Sequence, residues 1–288
     1  MPLSTDLHNS TILHDSTMSI GKSDRCWFDS HCHFDFDVFD KNRDEQWLLL
    51  KEYGCAGLII PGVTAKQWPR LISLCADKPW GYSLGLHPYF IEQHQEGDLN
   101  KLDNACAEQL ELPAEESNLV AVGEFGLDFM LASSGHTQQV ELCRQQLLIA
   151  KKYNLPVILH IRKAYDEVAA MIRSIGFTEG GIVHAFSGSY QQGMVFIGLG
   201  FKLGIGGAMS HSRANKLRAT ITRLPLDGLV LETDAPDMLP AFWQGPHNSP
   251  LSILFLAQIV ASLHRCDLNQ VLLSSNRNLL GILPKFKH

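Results

Sequence analysis

No apolar run in the sequence is long enough to cross a bilayer. The longest, Leu251 to Leu263, is broken by Ser252, Gln258 and Ser262 and falls short of the ~20 residues that a membrane helix requires. Residues 1 to 24 are rich in Ser, Thr, His and Asp and lack an apolar core, so a loose polar extension is expected there and not a signal peptide. Positive charge is also in short supply: 24 Lys and Arg face 30 Asp and Glu, a formal net charge of −6. A broad basic surface that coats nucleic acid is thereby excluded, and any phosphate chain would have to be held locally. CxxC spacing is missing. The seven cysteines (26, 32, 55, 75, 106, 143 and 266) are odd in number and scattered, which argues against a disulfide framework and for reduced thiols in a cytoplasmic protein.

Low-complexity linkers are absent as well, and 288 residues with 45% hydrophobic and 19% charged content suit one globular domain. Eight short apolar segments recur along the chain: Cys26 to His33, Gly57 to Val63, Gly81 to His87, Val120 to Gly126, Pro156 to Ile161, Gly181 to Ala185, Phe201 to Gly206 and Leu229 to Thr233. The stretches between them carry helical periodicity, from Asp44 to Tyr53 onward to Pro250 to His264. Strands alternating with helices predict a parallel sheet, and eight such units predict a single α/β domain, a (β/α)8 TIM barrel over residues 25 to 288. A final apolar stretch, Leu268 to Leu283, is expected to cap the barrel as a last helix. Ser249 before Pro250 reads as a helix start, and Gly54 and Gly176 read as helix stops.

The ionisable residues that end these apolar segments are the candidate site, because the carboxyl ends of barrel strands carry the active site. His31 and His33 are two residues apart, so their side chains share a face from which Cys32 is turned away. Glu124 follows Val120-Ala-Val-Gly, His160 follows Pro156-Val-Ile-Leu, His184 follows Gly181-Ile-Val, and Asp234 follows Leu229-Val-Leu-Glu-Thr. Each taken alone reads equally as a structural hydrogen bond; six on five strands of one rim read as a metal site. Four imidazoles and two carboxylates suit a borderline cation better than Ca²⁺. At about three protein ligands per catalytic ion, six donors predict two divalent cations, Zn²⁺, Mn²⁺ or Mg²⁺.

The segments Phe28-Asp-Ser-His-Cys-His-Phe, Gly85-Leu-His-Pro, Val122-Gly-Glu-Phe-Gly-Leu-Asp, Leu155-Pro-Val-Ile-Leu-His-Ile-Arg, Val183-His-Ala-Phe-Ser-Gly and Leu231-Glu-Thr-Asp-Ala-Pro resemble the TatD family of metal-dependent deoxyribonucleases and hydrolases, within the amidohydrolase-like barrels. The likeness runs in order from Cys26 to the C-terminus and is nearest to the branch of uncharacterised hydrolases. It implies that His31, His33 and Asp234 hold one ion, that His160 and His184 hold the other, and that Glu124 bridges them. It further implies a phosphodiesterase that trims DNA from its 3′ end with a metal-activated water. The chain departs from the usual text at Tyr89, where many relatives carry a second His, and at Ile161, where Ser or Cys is common.

Within this frame Asp234 is expected to orient the nucleophile or take its proton, and Glu232 to support a ligand histidine. Arg162 is a candidate forked contact to phosphate, His87 a donor to the leaving oxygen, and Ser187 part of the entrance. The alternatives are a salt bridge to a neighbouring loop for Arg162, a strand-end hydrogen bond for His87, and a solvated or helix-facing carboxylate for Glu232. Two other functions fit the same ligands: hydrolysis of a small cyclic amide, ester or lactone, and a non-catalytic metal-binding partner. No Lys ends a barrel strand, which disfavours the first. DNA ends are the expected partner, with no membrane and no obligate protein partner.

Overall fold

The computed structural model describes residues 26 to 287, so the polar extension expected at residues 1 to 24 lies outside the described residues. Eight parallel strands follow one another around the sheet in chain order, β1 (Trp27–Asp29), β2 (Cys55–Pro61), β3 (Trp80–Leu84), β4 (Leu119–Asp128), β5 (Val157–Arg162), β6 (Gly181–His184), β7 (Phe201–Ile205) and β8 (Leu229–Leu231). Helices α1 (Arg43–Glu52), α2 (Trp68–Cys75), α3 (Asp98–Glu111), α4 (His136–Lys152), α5 (Tyr165–Ile175), α6 (Tyr190–Gly198), α7 (Asn215–Arg223) and α8 (Ile253–His264) each follow their strand, and α9 (Leu268–Ile282) ends the series. This is the expected (β/α)8 barrel. Gly176 does stop α5, in the left-handed conformation at φ 62°, which glycine adopts without a Cβ clash. Ser249 caps a short 3-10 turn, Pro250–Ser252, that leads into α8.

Alternation along the strands sorts the core into two layers. Outward side chains such as Leu58, Ile60, Leu84, Leu159 and Leu203 pack against the helices. Inward ones, Phe28, Ile59, Val120, Ile158, Ile182 and Val230, fill the barrel and meet Leu279, Leu283 and Phe286. The last helix and the residues after it therefore plug the amino end of the barrel. Phe286 packs edge-on against Phe28 at 5.4 Å between ring centroids. A Cβ on Gly57 or Gly81 would meet the Phe286 ring at 2.7 or 3.0 Å, so both positions need glycine.

The two ends of the sheet meet differently from the other strands. Among the described residues β1 and β8 share no strand ladder; they join through the segments that follow them. Ser30 donates to Leu231 O (3.1 Å), Asp234 to His31 O (2.9 Å) and His33 to Ala235 O (2.7 Å). The fully buried Asp29 carboxylate accepts the backbone N–H groups of His31 (3.2 Å) and Thr233 (3.0 Å) and the Thr233 hydroxyl. Helix α9 covers the same seam: Ser275 Oγ accepts from Leu231 N, while the Asn276 and Asn278 amides donate to Cys26 O and Leu229 O. The seam thus holds the His31 and Asp234 segments in place. No single helix among the described residues is long and apolar enough to cross a membrane.

Candidate metal centre

All six residues read from the sequence as metal ligands converge at the carboxyl end of the barrel, although four of them, His31, His33, Glu124 and Asp234, stand beyond their strand or at a register shift within it. The first strand stops at Asp29, four residues before its expected end, so His31 and His33 stand on the segment beyond it. They converge nonetheless, with ring centroids 5.2 Å apart, while Cys32 is buried in the outer layer of the core. The fourth strand runs on to Asp128, and Glu124 sits within it at a register shift: Gly123 pairs with Ile158 and Phe125 with Leu159. The unpaired extra residue is turned toward the centre, as a bulge does. Close backbone passage makes room for it. A Cβ on Gly85 would lie 2.4 Å from Gly123 C and 2.7 Å from Glu124 N. Asp234 lies three residues past the end of β8.

The two carboxylate oxygens of Glu124 face two different sets of imidazoles. Oε2 lies 3.3 Å from His31 Nε2 and 3.8 Å from His33 Nε2. Oε1 lies 3.2 Å from His87 Nε2, 3.2 Å from His160 Nδ1 and 4.0 Å from His184 Nε2. Asp234 Oδ1 sits 3.5 Å from both His31 and His33 Nε2 and 3.6 Å from His184 Nε2. Three overlapping groups, His31 with His184 and Asp234, His31 with His33 and Glu124, and His87 with Glu124 and His160, each place donor atoms within 4.8 Å of one another.

The protonation pattern suits cations. Nε2 of His31, which faces both Glu124 and Asp234, is buried with no aligned hydrogen-bond partner, an arrangement that is costly unless something else binds there. Burial holds His31 well below its ordinary pKa and lowers His33 to about 4, so both imidazoles are neutral, as ligation requires. Burial also opposes charge on Glu124, but His87, His31 and His184 outweigh it and hold the carboxyl well below the usual range. At His184 burial is likewise outweighed, by Glu232, Asp234 and Glu124, and the pKa rises to about 10. Asp234 is pushed up to about 7, chiefly by burial.

Glu232, fully buried, lies 3.0 Å from His184 Nδ1 and also accepts from Ala185 N at 2.7 Å. Once a cation takes Nε2, the remaining ring proton would lie on Nδ1, beside Glu232. For His87 the tautomer is reversed: Nδ1 accepts the N–H of Tyr89 at 3.0 Å, so the neutral ring carries its proton on Nε2, facing Glu124. Arg162 has a half-exposed side chain at the mouth, 3.5 Å from Asp128. Ser187 is exposed, and its hydroxyl meets Tyr165 Oη at 3.3 Å, which ties it to α5 and not to the imidazoles. Tyr89 is 67% exposed.

Two carboxylates that sequence reasoning passed over prove to belong to the site's framework. Asp29 anchors the segment bearing His31, and Asp128 lies 3.1 Å from His160 Nε2. Both stand inside the motif text, one two residues before His31 and the other four after Glu124. Their buried positions become apparent only with the seam and the shifted register in view.

A family model described as TatD related DNase matches residues 28 to 283. The chain belongs to this TatD-related family. An uncharacterized metal-dependent hydrolase, YjjV, of Escherichia coli K12 is 36% identical over 260 residues, covering 89% of this chain and 98% of that one. Its crystal structure, described as that of a TatD homolog, superposes with a TM-score of 0.84 over 90% of this chain and 98% of that one, at 34% identity. An uncharacterized metal-dependent hydrolase of Haemophilus influenzae is 42% identical, covering 79% of this chain and 88% of its own length. A 3′-5′ ssDNA/RNA exonuclease TatD of Erwinia billingiae is 31% identical, covering 84% and 96%.

Proposed function

We propose that this TatD-family chain is a metal-dependent phosphodiesterase that removes nucleotides from the 3′ end of single-stranded nucleic acid, with two divalent cations at one centre. The observation that carries the two-ion reading is the placement of Glu124, with Oε2 turned to His31 and His33 and Oε1 turned to His160 and His184. Asp234 would complete the first set, and Glu124 would be shared by both. The nucleic-acid reading draws support from the Erwinia relative's name and from a mouth that carries Arg162, whose planar fork matches phosphate. When bound, the cations, Zn²⁺, Mn²⁺ or Mg²⁺, would supply Lewis acidity that acidifies a water, with Zn²⁺ from about 15.7 to about 7, and would stabilise charge on phosphate oxygens.

The remaining chemistry belongs to the chain. Asp234, at the edge of the centre 3.5 Å from His31 and His33 Nε2, is placed to orient the nucleophile or accept its proton. His87 presents Nε2–H to the centre and can donate to the departing oxygen. That tautomer has no lone pair on Nε2, so His87 acts as a donor and not as a seventh ligand, despite its 3.2 Å approach to Glu124. Glu232 holds His184 in register. Ser187 borders the entrance through Tyr165.

The test is turnover of 3′-labelled single-stranded DNA beside a panel of small esters, amides and lactones, before and after chelation. Release of nucleotides from the 3′ end, abolished by chelation and restored by a divalent cation, is the expected result. Turnover of a lactone or amide without cleavage of DNA would overturn the phosphodiester reading.

A further inference from the structure

Asp128 is buried at the end of β4 and is locked on every side. Its Oδ1 accepts the N–H of Met130 at 2.9 Å, and its own backbone N–H and C=O are both bound by the buried side chain of Gln139, at 2.8 and 3.3 Å. The other oxygen, Oδ2, is left for two partners: His160 Nε2 at 3.1 Å and Arg162 Nη1 at 3.5 Å. His160 turns its opposite nitrogen, Nδ1, toward Glu124 Oε1 at 3.2 Å. The imidazole therefore lies between two carboxylates, one belonging to the candidate metal centre and one outside it.

Both flanking carboxylates can only accept, so either ring nitrogen can hold the proton as the side chains stand; with a cation on the Glu124 side taking the Nδ1 lone pair, the remaining proton lies on Nε2, beside Asp128 Oδ2. Glu232 offers His184 the complementary pattern: its Oε1 lies 3.0 Å from Nδ1, so with a cation on Nε2 the remaining proton would face Glu232. The two imidazoles assigned to one ion would thus bind it through different nitrogens, each with its other nitrogen beside its own buried carboxylate. Asp128 differs from Glu232 in one respect. It also touches Arg162, whose side chain reaches the mouth.

We propose that Asp128 is a positioning residue that holds His160 with its Nδ1 lone pair toward the centre and, through the same oxygen, tethers Arg162 at the mouth, so that cation and substrate phosphate are gripped by one connected unit. The inference rests on the metal-dependent reading of the site. Partners of this kind orient a ligating imidazole and raise its basicity, and their loss costs about 10- to 100-fold in metal affinity.

The experiment titrates Zn²⁺, in competition with a chelator, into metal-stripped full-length wild type, Asp128→Asn and Arg162→Ala. In Asp128→Asn the side-chain amide oxygen can still accept from Met130 N, which preserves the loop. Wild type is expected to bind two Zn²⁺. In Asp128→Asn one of the two weakens by about 10- to 100-fold while the other stays within twofold; a general folding defect would weaken both. Arg162→Ala leaves both affinities within twofold and raises KM more than it lowers kcat. Independently of any variant's folding, nitrogen-15 spectra of Zn²⁺-loaded wild type should show His160 protonated on Nε2. Protonation on Nδ1, or two Zn²⁺ bound with unchanged affinity in Asp128→Asn, would overturn this inference while leaving the metal reading intact. Wild type that binds no Zn²⁺ would overturn both.

Discussion

The two ends of the barrel are built from the same strands on the same inward face, yet one is a hydrocarbon plug and the other a knot of ionisable groups. Ile158, Ile182 and Val230 point into the amino half, where they meet Leu279, Leu283 and Phe286. Two residues further along each strand direction stand His160, His184 and Glu232, and these gather around Glu124 and Asp234. Burying apolar area stabilises the fold by about 25 cal/mol per Å². Burying an imidazole or carboxylate is costly unless it is paired. The amino end therefore holds the barrel together, and the carboxyl end is tolerated because the rest of the molecule over-determines its geometry. Asp29 and the α9 hydrogen bonds are where that over-determination is visible, since they tie the seam that carries His31 and Asp234.

Substitutions at each end should separate the two roles. The largest effect is expected from Glu124→Ala, which removes the group shared by both imidazole sets. It should lose nearly all activity and most bound metal while circular dichroism shows an intact barrel; full metal content by elemental analysis would sink the bridging assignment. Phe286→Ala should do the reverse. Deleting a buried phenyl ring costs about 3–5 kcal/mol of stability, measurable by urea unfolding, with metal stoichiometry unchanged. A loss of metal in a folded Phe286→Ala protein would show that the ends are not independent. Asp29→Ala should fall between them, leaving buried N–H and O–H donors of His31 and Thr233 unpaired. It is expected to cost about 1–3 kcal/mol and also to weaken metal binding, because the seam positions His31. Unaltered metal affinity in that variant would confine Asp29 to stability.

Much of the site is legible in the linear chain, for identifiable reasons. Strands that are buried on both faces must be apolar, so an ionisable residue directly after such a run stands out, as His160 and His184 do. The i,i+2 spacing of His31 and His33 points to a common side even though the strand ends at Asp29, because the segment beyond it continues to bond alternately to β8 and β2 neighbours: Ser30 to Leu231, Cys32 to Ile59, His33 to Ala235. Glu124 falls inside the expected Val120 to Gly126 segment, while the shift that turns it toward the centre is not read, since register depends on the neighbouring strand. Ser187 looks like an entrance residue by sequence position, and the fold ties it to Tyr165.

Local pattern suffices to specify the barrel and the convergence of six donors at one rim, because period-two burial and strand count are written into each segment separately. Which nitrogen each histidine offers, and which oxygen of Glu124 meets which set, are settled in three dimensions alone. Those choices are made by Asp128, Glu232 and the Tyr89 N–H from elements or loops packed around the centre, and by a seam whose two sides, Asp29 and Thr233, lie 204 residues apart in the chain.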